Sequence, residues 1–231
     1  MKWLESNLDL VWTLIVAHVG LSVPPIVIGF LISIPIGWVA NRYRPSRGVI
    51  LVVLGLLYTI PSIPLFIFMP LFLGTPLISP VNVVIALTIY AVALMVRTAA
   101  DGLASVDKDI LQAASAMGYN GWQRFWRVEL PLAGPVLLSG LRVVSASTVS
   151  LATLGVIIGV QSLGYLFTNG FQRNIPAEVV TGIVATLLIA VVFDLLLVLL
   201  GRVLMPWSRR ERTRARGRVQ KSTTLVAEGI S

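Results

Sequence analysis

The sequence contains no cysteine and a single histidine, His18. The first absence excludes disulfides, thiol nucleophiles and zinc–thiolate sites, and the second excludes a two-histidine metal centre. Charge is scarce as well. Asp, Glu, Lys and Arg make up 12% of the 231 residues, against about 25% in soluble domains. With 56% hydrophobic residues and a mean hydropathy of +0.89, the chain has too little polar surface to meet water on all sides, so most of that surface must face lipid. There is no G-x-x-x-x-G-K-[S/T] phosphate loop and no side-chain cluster suited to catalysis, so no catalytic residue and no metal site is assigned. Acidic residues number 10 against 18 Lys and Arg, a net charge of +8. In a soluble protein that excess suggests nucleic acid. Here the arginines cluster beside apolar runs, which reads as a topology signal and contact with anionic lipid, with no nucleic-acid partner.

The length suits one domain of roughly five to seven spanning helices. Near the start, Lys2 is followed by Glu5 and Asp9 with no small-residue cleavage pattern, so no signal peptide is expected. Residues 3–19 place Leu4, Leu8, Val11, Trp12, Ile15, Val16 and Val19 on one helical face, with Glu5, Ser6, Asp9, Thr13 and His18 elsewhere. The pattern predicts an interfacial helix over 1–20, with His18 at the membrane surface. A membrane domain then runs over 21–206. Its first span is expected at 21–40, with Pro24 and Pro25 in the first turn and Pro35 kinking the far end. The second lies at 49–73, broken by Pro61 and Pro64. The third falls at 82–100, the fourth at 133–160 and the fifth at 179–204. All must be helical, because lipid cannot satisfy polar backbone groups. Residues 207–231 are arginine-rich and too polar to bury a core, so a disordered basic tail is expected.

With five spans, sixteen of the 18 Lys and Arg fall on one side, leaving Lys2 and Arg173 for the other. That asymmetry predicts an outside N-terminus and a cytoplasmic C-terminus. The segment 101–132, between spans three and four, is then cytoplasmic. Asp107 suits the cap of a helix starting at Lys108, in which Ile110, Leu111, Ala114 and Met117 recur at helical spacing. Gly118 supplies the freedom to end it. Asn120 suits the cap of a second short helix bearing Trp122, Phe125, Trp126 and Leu130, and Pro131 opens the next span. The apolar faces of this helix–Gly–helix unit need a partner, either the chain's own bundle or another protein.

The run Gln112-Ala113-Ala114-Ser115-Ala116-Met117-Gly118, followed after nine residues by Val128-Glu129-Leu130-Pro131, resembles the E-A-A-x-x-x-G…I-x-L-P loop of permeases of binding-protein-dependent ABC importers. Ala113, Ala114 and Gly118 match, as do Val128, Leu130 and Pro131. Gln112 replaces the acidic first residue, which removes any charge pairing made there. Further elements over about 15–205 are similar to the quaternary-amine (osmoprotectant) permeases: Thr59-Ile60-Pro61-Ser62, Gly102-Leu103 with Val106-Asp107, and Val128 to Leu132. Gly159 to Gly164 looks like a degraded G-A-G-G-L-G, with Gln161 and Ser162 where small residues are usual.

The resemblance implies an all-α membrane protein of the MetI-like permease fold, with about five spans and a cytoplasmic coupling helix. It implies a transport subunit rather than an enzyme. Its partners would be an ABC ATPase subunit, an extracytoplasmic solute-binding protein and a second permease, identical or not. It would sit in the bacterial plasma membrane, and ATP and Mg would bind in the ATPase, so this chain needs no cofactor. Residues Gln112, Ala113, Ala114, Gly118, Val128, Leu130 and Pro131 would form the ATPase-coupling loop. The implied cargo is glycine betaine, choline or carnitine. The same fold for an amino acid or ergothioneine, and a stand-alone secondary transporter, remain open readings.

Four intramembrane features need a reason. Pro61 and Pro64 free backbone carbonyls, so Thr59, Pro61 and Ser62 either border the translocation path or mark a packing kink. Asp194 falls mid-span, where charge is costly; it either joins Thr59, Pro61 and Ser62 on the translocation path, as a gate, or makes a subunit contact, or serves as a structural hydrogen bond. Gly155 and Gly159 form a small-xxx-small pair that suits close helix packing. Arg142 is expected to snorkel to the cytoplasmic surface.

Overall fold

The computed structural model describes residues 2–207, of which none is in a β-strand. The helices run in the order α1 (Lys2–Glu5), α2 (Leu8–Arg42), α3 (Arg44–Thr59), α4 (Ser62–Leu73), α5 (Pro80–Ala104), α6 (Lys108–Ala116), α7 (Gly121–Arg124), α8 (Leu130–Ala152), α9 (Gly164–Gln172) and α10 (Pro176–Leu204). A π-helical stretch, Phe125–Glu129, joins α7 to α8, and a 3-10 stretch, Thr153–Ile158, follows α8. Four helical segments are long and apolar enough to cross a membrane, or up to five if the bent pair α3–α4 makes one span. The tail expected at 207–231 lies outside the described residues except for Trp207.

At the centre is α5, packed by α2, α3, α4 and α8. Its tightest partner is α2. Gly29 and Gly37 lie two turns apart on α2 with Ser33 between them, and all three are buried. A Cβ placed on Gly29 would sit 2.5 Å from the Ala91 Cβ, and one on Gly37 2.6 Å from the Ala99 Cβ. Small residues on both sides bring the two backbones together, which is how helices gain contact where lipid offers no hydrophobic drive. The Ser33 hydroxyl is satisfied within its own helix, donating to the Gly29 carbonyl at 2.6 Å.

The first expected boundary is absent. α2 is one helix of 35 residues, about 52 Å long, and it runs through residue 20 without a break. Pro24 and Pro25 therefore sit inside it rather than in its first turn. The amphipathic reading holds only in part. Val11 is buried and Glu5, Ser6, Asp9 and Thr13 are exposed, but Leu8, Trp12 and Val16 point outward and His18 is buried. His18 is inside the bundle, not at a surface: its Nε2–H donates to the carbonyl of Val149 in α8 at 3.0 Å. At His18 the polar group turns inward to find a partner, as an ionisable group at membrane depth must.

Two further spans differ from expectation. The break in the second is an elbow: α3 and α4 meet at 102°. The fourth span ends as an α-helix at Ala152 and tightens to 3-10 geometry before Gly159 turns the chain at φ +83°. Gly155 and Gly159 therefore lie on no common α-helical face, and the small-xxx-small reading of that pair fails. Beyond the turn, a Cβ on Gly164 would fall 1.8 Å from the Thr153 carbonyl oxygen, so only glycine fits where α9 starts. Ser162 is buried there, and its hydroxyl accepts from the Gly164 N–H at 3.1 Å.

Candidate functional site

The segment between α5 and α8 is built by capping. The Asp107 carboxylate accepts from the Asp109 N–H at 2.9 Å and starts α6. At the other end Tyr119 N–H reaches the Ala114 carbonyl at 3.1 Å and Gly118 N–H reaches Ser115 at 3.0 Å. This 6→1 and 5→2 pair is a Schellman motif, and it places Gly118 at φ +84°. A side chain there would strain the backbone, so the glycine fixes the sharp stop. Asn120 then caps α7 reciprocally with Gln123, at 2.8 and 3.1 Å. The π-helical stretch before α8 is matched to Pro131. Lacking an N–H, Pro131 cannot donate to the Arg127 carbonyl, and the Leu130 N–H bonds instead to Phe125.

Arg124 locks the two arms together. Its Nε donates to the Glu129 carboxylate at 2.8 Å, and its Nη1 to the Ser115 hydroxyl at 3.1 Å. Glu129 is buried, so the pair is partly shielded from water and the unit is stiff. Phe125 anchors it to the bundle: its ring lies 5.5 Å from that of Trp38 in α2. Nearby, Arg47 of α3 pairs with Asp101 of α5 at 2.7 Å. A cleft of about 230 Å³ opens between Trp38, Asn41, Arg42, Leu111, Arg124 and Glu129.

The structure splits the residues assigned to the coupling loop. Gln112, Ala113 and Gly118 are exposed, whereas Ala114 is 1% exposed and packs inward. Of the two alanines, only Ala113 can meet another chain. Val128, Leu130 and Pro131 are half-buried at the base of α8 and position the unit. The outward face also carries Ile110, Met117, Trp122 and Trp126, with Met117 70% and Trp122 63% exposed. These large apolar groups sit among exposed polar and small residues, Lys108, Asp109, Gln112 and Gln123 included. Their helical spacing is visible in the sequence, but which side they take is not.

The second group of assigned residues sits at the α3–α4 elbow. Thr59 and Pro61 are exposed and Ser62 is half-buried. Ile60 is extended, at ψ 128°, so its carbonyl falls outside both helices, and Tyr90 of α5 donates its hydroxyl to that oxygen. The Tyr58 and Tyr90 rings meet edge-on at 5.9 Å. Sequence reasoning found the prolines and missed the tyrosine, which sits in an apolar run with nothing to single it out.

Asp194 is not near that elbow group in the bonding network. It accepts from Arg142 of α8 in a two-pronged pair, Nε to Oδ1 at 2.5 Å and Nη2 to Oδ2 at 2.8 Å. Arg142 therefore does not snorkel. Its charge is met across the helix pair instead.

A rigid, capped loop with an outward apolar face, carried on a bundle of apolar helices, has close relatives. Residues 33–210 match the model of the binding-protein-dependent transport system inner membrane component. The choline transport system permease protein OpuBB of Bacillus subtilis is 29% identical over 189 residues, 82% of this chain and 86% of its own. The osmoprotectant import permease protein OsmY of Salmonella typhimurium is 31% identical over 192 residues, 82% and 80% respectively. In backbone, the chain is similar to a subunit of the inward-facing MetNI methionine ABC transporter. The TM-score is 0.71 at 22% identity, over 87% of this chain and 97% of that one. A family match over most of the chain decides the matter: this is a multi-pass membrane transport subunit, not an enzyme, and it belongs to the family of binding-protein-dependent transport system inner membrane components.

Proposed function

We propose that the chain is the permease subunit of an ATP-driven importer for glycine betaine-, choline- or carnitine-type quaternary amines. The relatives supply the cargo: OpuBB is named for choline, and OsmY for osmoprotectants. Partners in this reading are an ABC ATPase subunit that binds ATP and Mg, an extracytoplasmic solute-binding protein, and a second permease. The N-terminus lies outside and the C-terminus in the cytoplasm. α6 through the π-helical stretch is the coupling element, and the α3–α4 elbow at Thr59, Pro61 and Ser62 borders the path.

The observation that carries the coupling role is the clamp of Arg124 on both Glu129 and Ser115. A flexible loop would absorb a push from the ATPase. A clamped one, continuous with α8, passes it to the spanning helices. The apolar groups Ile110, Met117, Trp122 and Trp126 offer the docking surface, and amphipathic helix-in-groove binding is a common use of such a face.

The test is uptake of labelled choline and glycine betaine by cells without other importers for these solutes, expressing this chain with its ATPase and binding protein. Met117→Glu and Trp126→Glu should abolish uptake and retention of the ATPase on purification, with normal membrane levels of the chain. Ala114→Glu should instead lower the level of the chain, because that side chain is buried in its own bundle. Uptake unchanged by Met117→Glu and Trp126→Glu together would refute the coupling role. Transport of a labelled amino acid, but not of choline or betaine, would refute the cargo.

A further inference from the structure

The two outward faces of α8 and α10 differ in kind. Between Val180 and Leu200, every exposed residue of α10 is Val, Ile or Leu, which is the composition of a helix against hydrocarbon. Between Leu132 and Ser150, the exposed residues of α8 are Leu132, Pro135, Ser139, Arg142, Val143, Ala146 and Ser150, and only two of these are large aliphatics. The ion pair of Arg142 with Asp194 lies at the seam of these faces, with side chains 43% and 41% exposed.

Depth makes that exposure informative. Arg142 is twelve residues into α8 and Asp194 ten residues before the end of α10. They therefore lie about 18 Å and about 15 Å along their helices from the same end of the bundle, well inside a hydrocarbon core of about 30 Å. The pair uses two of the five guanidinium N–H groups. The remaining donors have no partner among the described residues. Hydrocarbon cannot satisfy them, and neither can a dry apolar contact.

We propose that the open face of α8, with Ser139, Arg142, Ala146 and Ser150, is a water-contacting wall of the solute pathway, and that the Arg142–Asp194 pair supplies its fixed charges. This rests on the permease reading above and gives it a location. The wall suits a quaternary-amine cargo. A lone carboxylate would hold such a cation, whereas a neutralised pair presents a dipole that a cation or zwitterion passes without being trapped. Lipid packed on this face, or a second permease packed dry against it, would be a different molecule to build.

The absence of native cysteine makes the test direct. Ser139→Cys, Ala146→Cys and, on the α10 face, Leu199→Cys are placed singly in the assembled transporter in membrane vesicles. Each is exposed to an anionic and to a cationic methanethiosulfonate. Only a hydrated thiol ionises to the reactive thiolate, so Ser139→Cys and Ala146→Cys should react at least ~10-fold faster than Leu199→Cys. Asp194→Asn in the Ala146→Cys chain leaves Arg142 unneutralised one turn away. It should raise the rate with the anionic reagent and lower it with the cationic one. Equal slow labelling at all three positions overturns the proposal. So does spontaneous disulfide formation between two copies of the Ala146→Cys chain with no reagent access, which would mark a dry subunit contact. Should Asp194→Asn fail to accumulate, the rates with the pair intact still decide. Labelling does not depend on the cargo, so failure of the wall and failure of the quaternary-amine reading are separable.

Discussion

Tyr90 of α5 holds the elbow between α3 and α4 by donating its hydroxyl to the carbonyl of Ile60. The acceptor is free because Ile60 and Pro61 are both extended, at ψ 128° and 135°, and interrupt the helix there. A side chain on one span thus ties down the bend in another.

Removing that hydroxyl should loosen the elbow. Tyr90→Phe removes the phenol's bond to the carbonyl of Ile60, an exposed residue, so the cost is at the low end of the about 1–3 kcal/mol that an unpaired buried group costs in water-soluble proteins. Interhelical bonds in membranes average nearer ~0.6 kcal/mol. Thermal unfolding of the purified transporter reads the loss. A Tyr90→Phe variant as stable as the parent would show that the phenol does not hold the elbow.

Gly118 is the second point of control. At φ +84° a β-carbon costs roughly 1–2 kcal/mol, and Asn is tolerated better than other residues. Gly118→Val should therefore reduce uptake by misplacing Tyr119 and Asn120 relative to α6, with Gly118→Asn intermediate. The measurement is uptake normalised to membrane level, together with ATPase activity of the complex. Wild-type uptake in Gly118→Val would mean the Schellman turn does not set the docking geometry.

The contact between α2 and α5 leaves no spare volume. Gly29→Leu or Gly37→Leu forces a side chain into Ala91 or Ala99, and such overpacking costs typically about 1–3 kcal/mol. Both variants should lower the amount of folded chain and its unfolding temperature. Ala91→Gly should partly rescue a smaller insertion, Gly29→Ala, and not Gly37→Ala. Equal rescue of both would place the contact elsewhere.

Much of this was written in the sequence where local rules act. Asp107, Gly118 and Asn120 announce their caps by residue type and spacing alone, and the structure puts each where expected. Spans three to five needed only shifted ends. What stayed hidden depends on neighbours far along the chain. Arg142 reads as a snorkelling residue until Asp194, 52 positions later, is placed beside it. Gly29 and Gly37 look unremarkable until Ala91 and Ala99 face them. The first helix misled at particular positions. Glu5, Asp9 and Thr13 are exposed as the pattern has them, but Trp12 and Val16 also look out, and His18 looks in because its bond partner Val149 lies on α8.

The meshing of Gly29 with Ala91 and of Gly37 with Ala99 has a mechanical corollary. Two rods interlocked at van der Waals distance cannot slide past each other without unlocking both teeth, so α2 and α5 travel as one spar when the carrier rocks. Whatever shape change moves cargo would then be taken up at the joints around that spar, and the right-angled joint after Thr59 is one that a side-chain hydrogen bond from Tyr90 to the Ile60 carbonyl fastens to it.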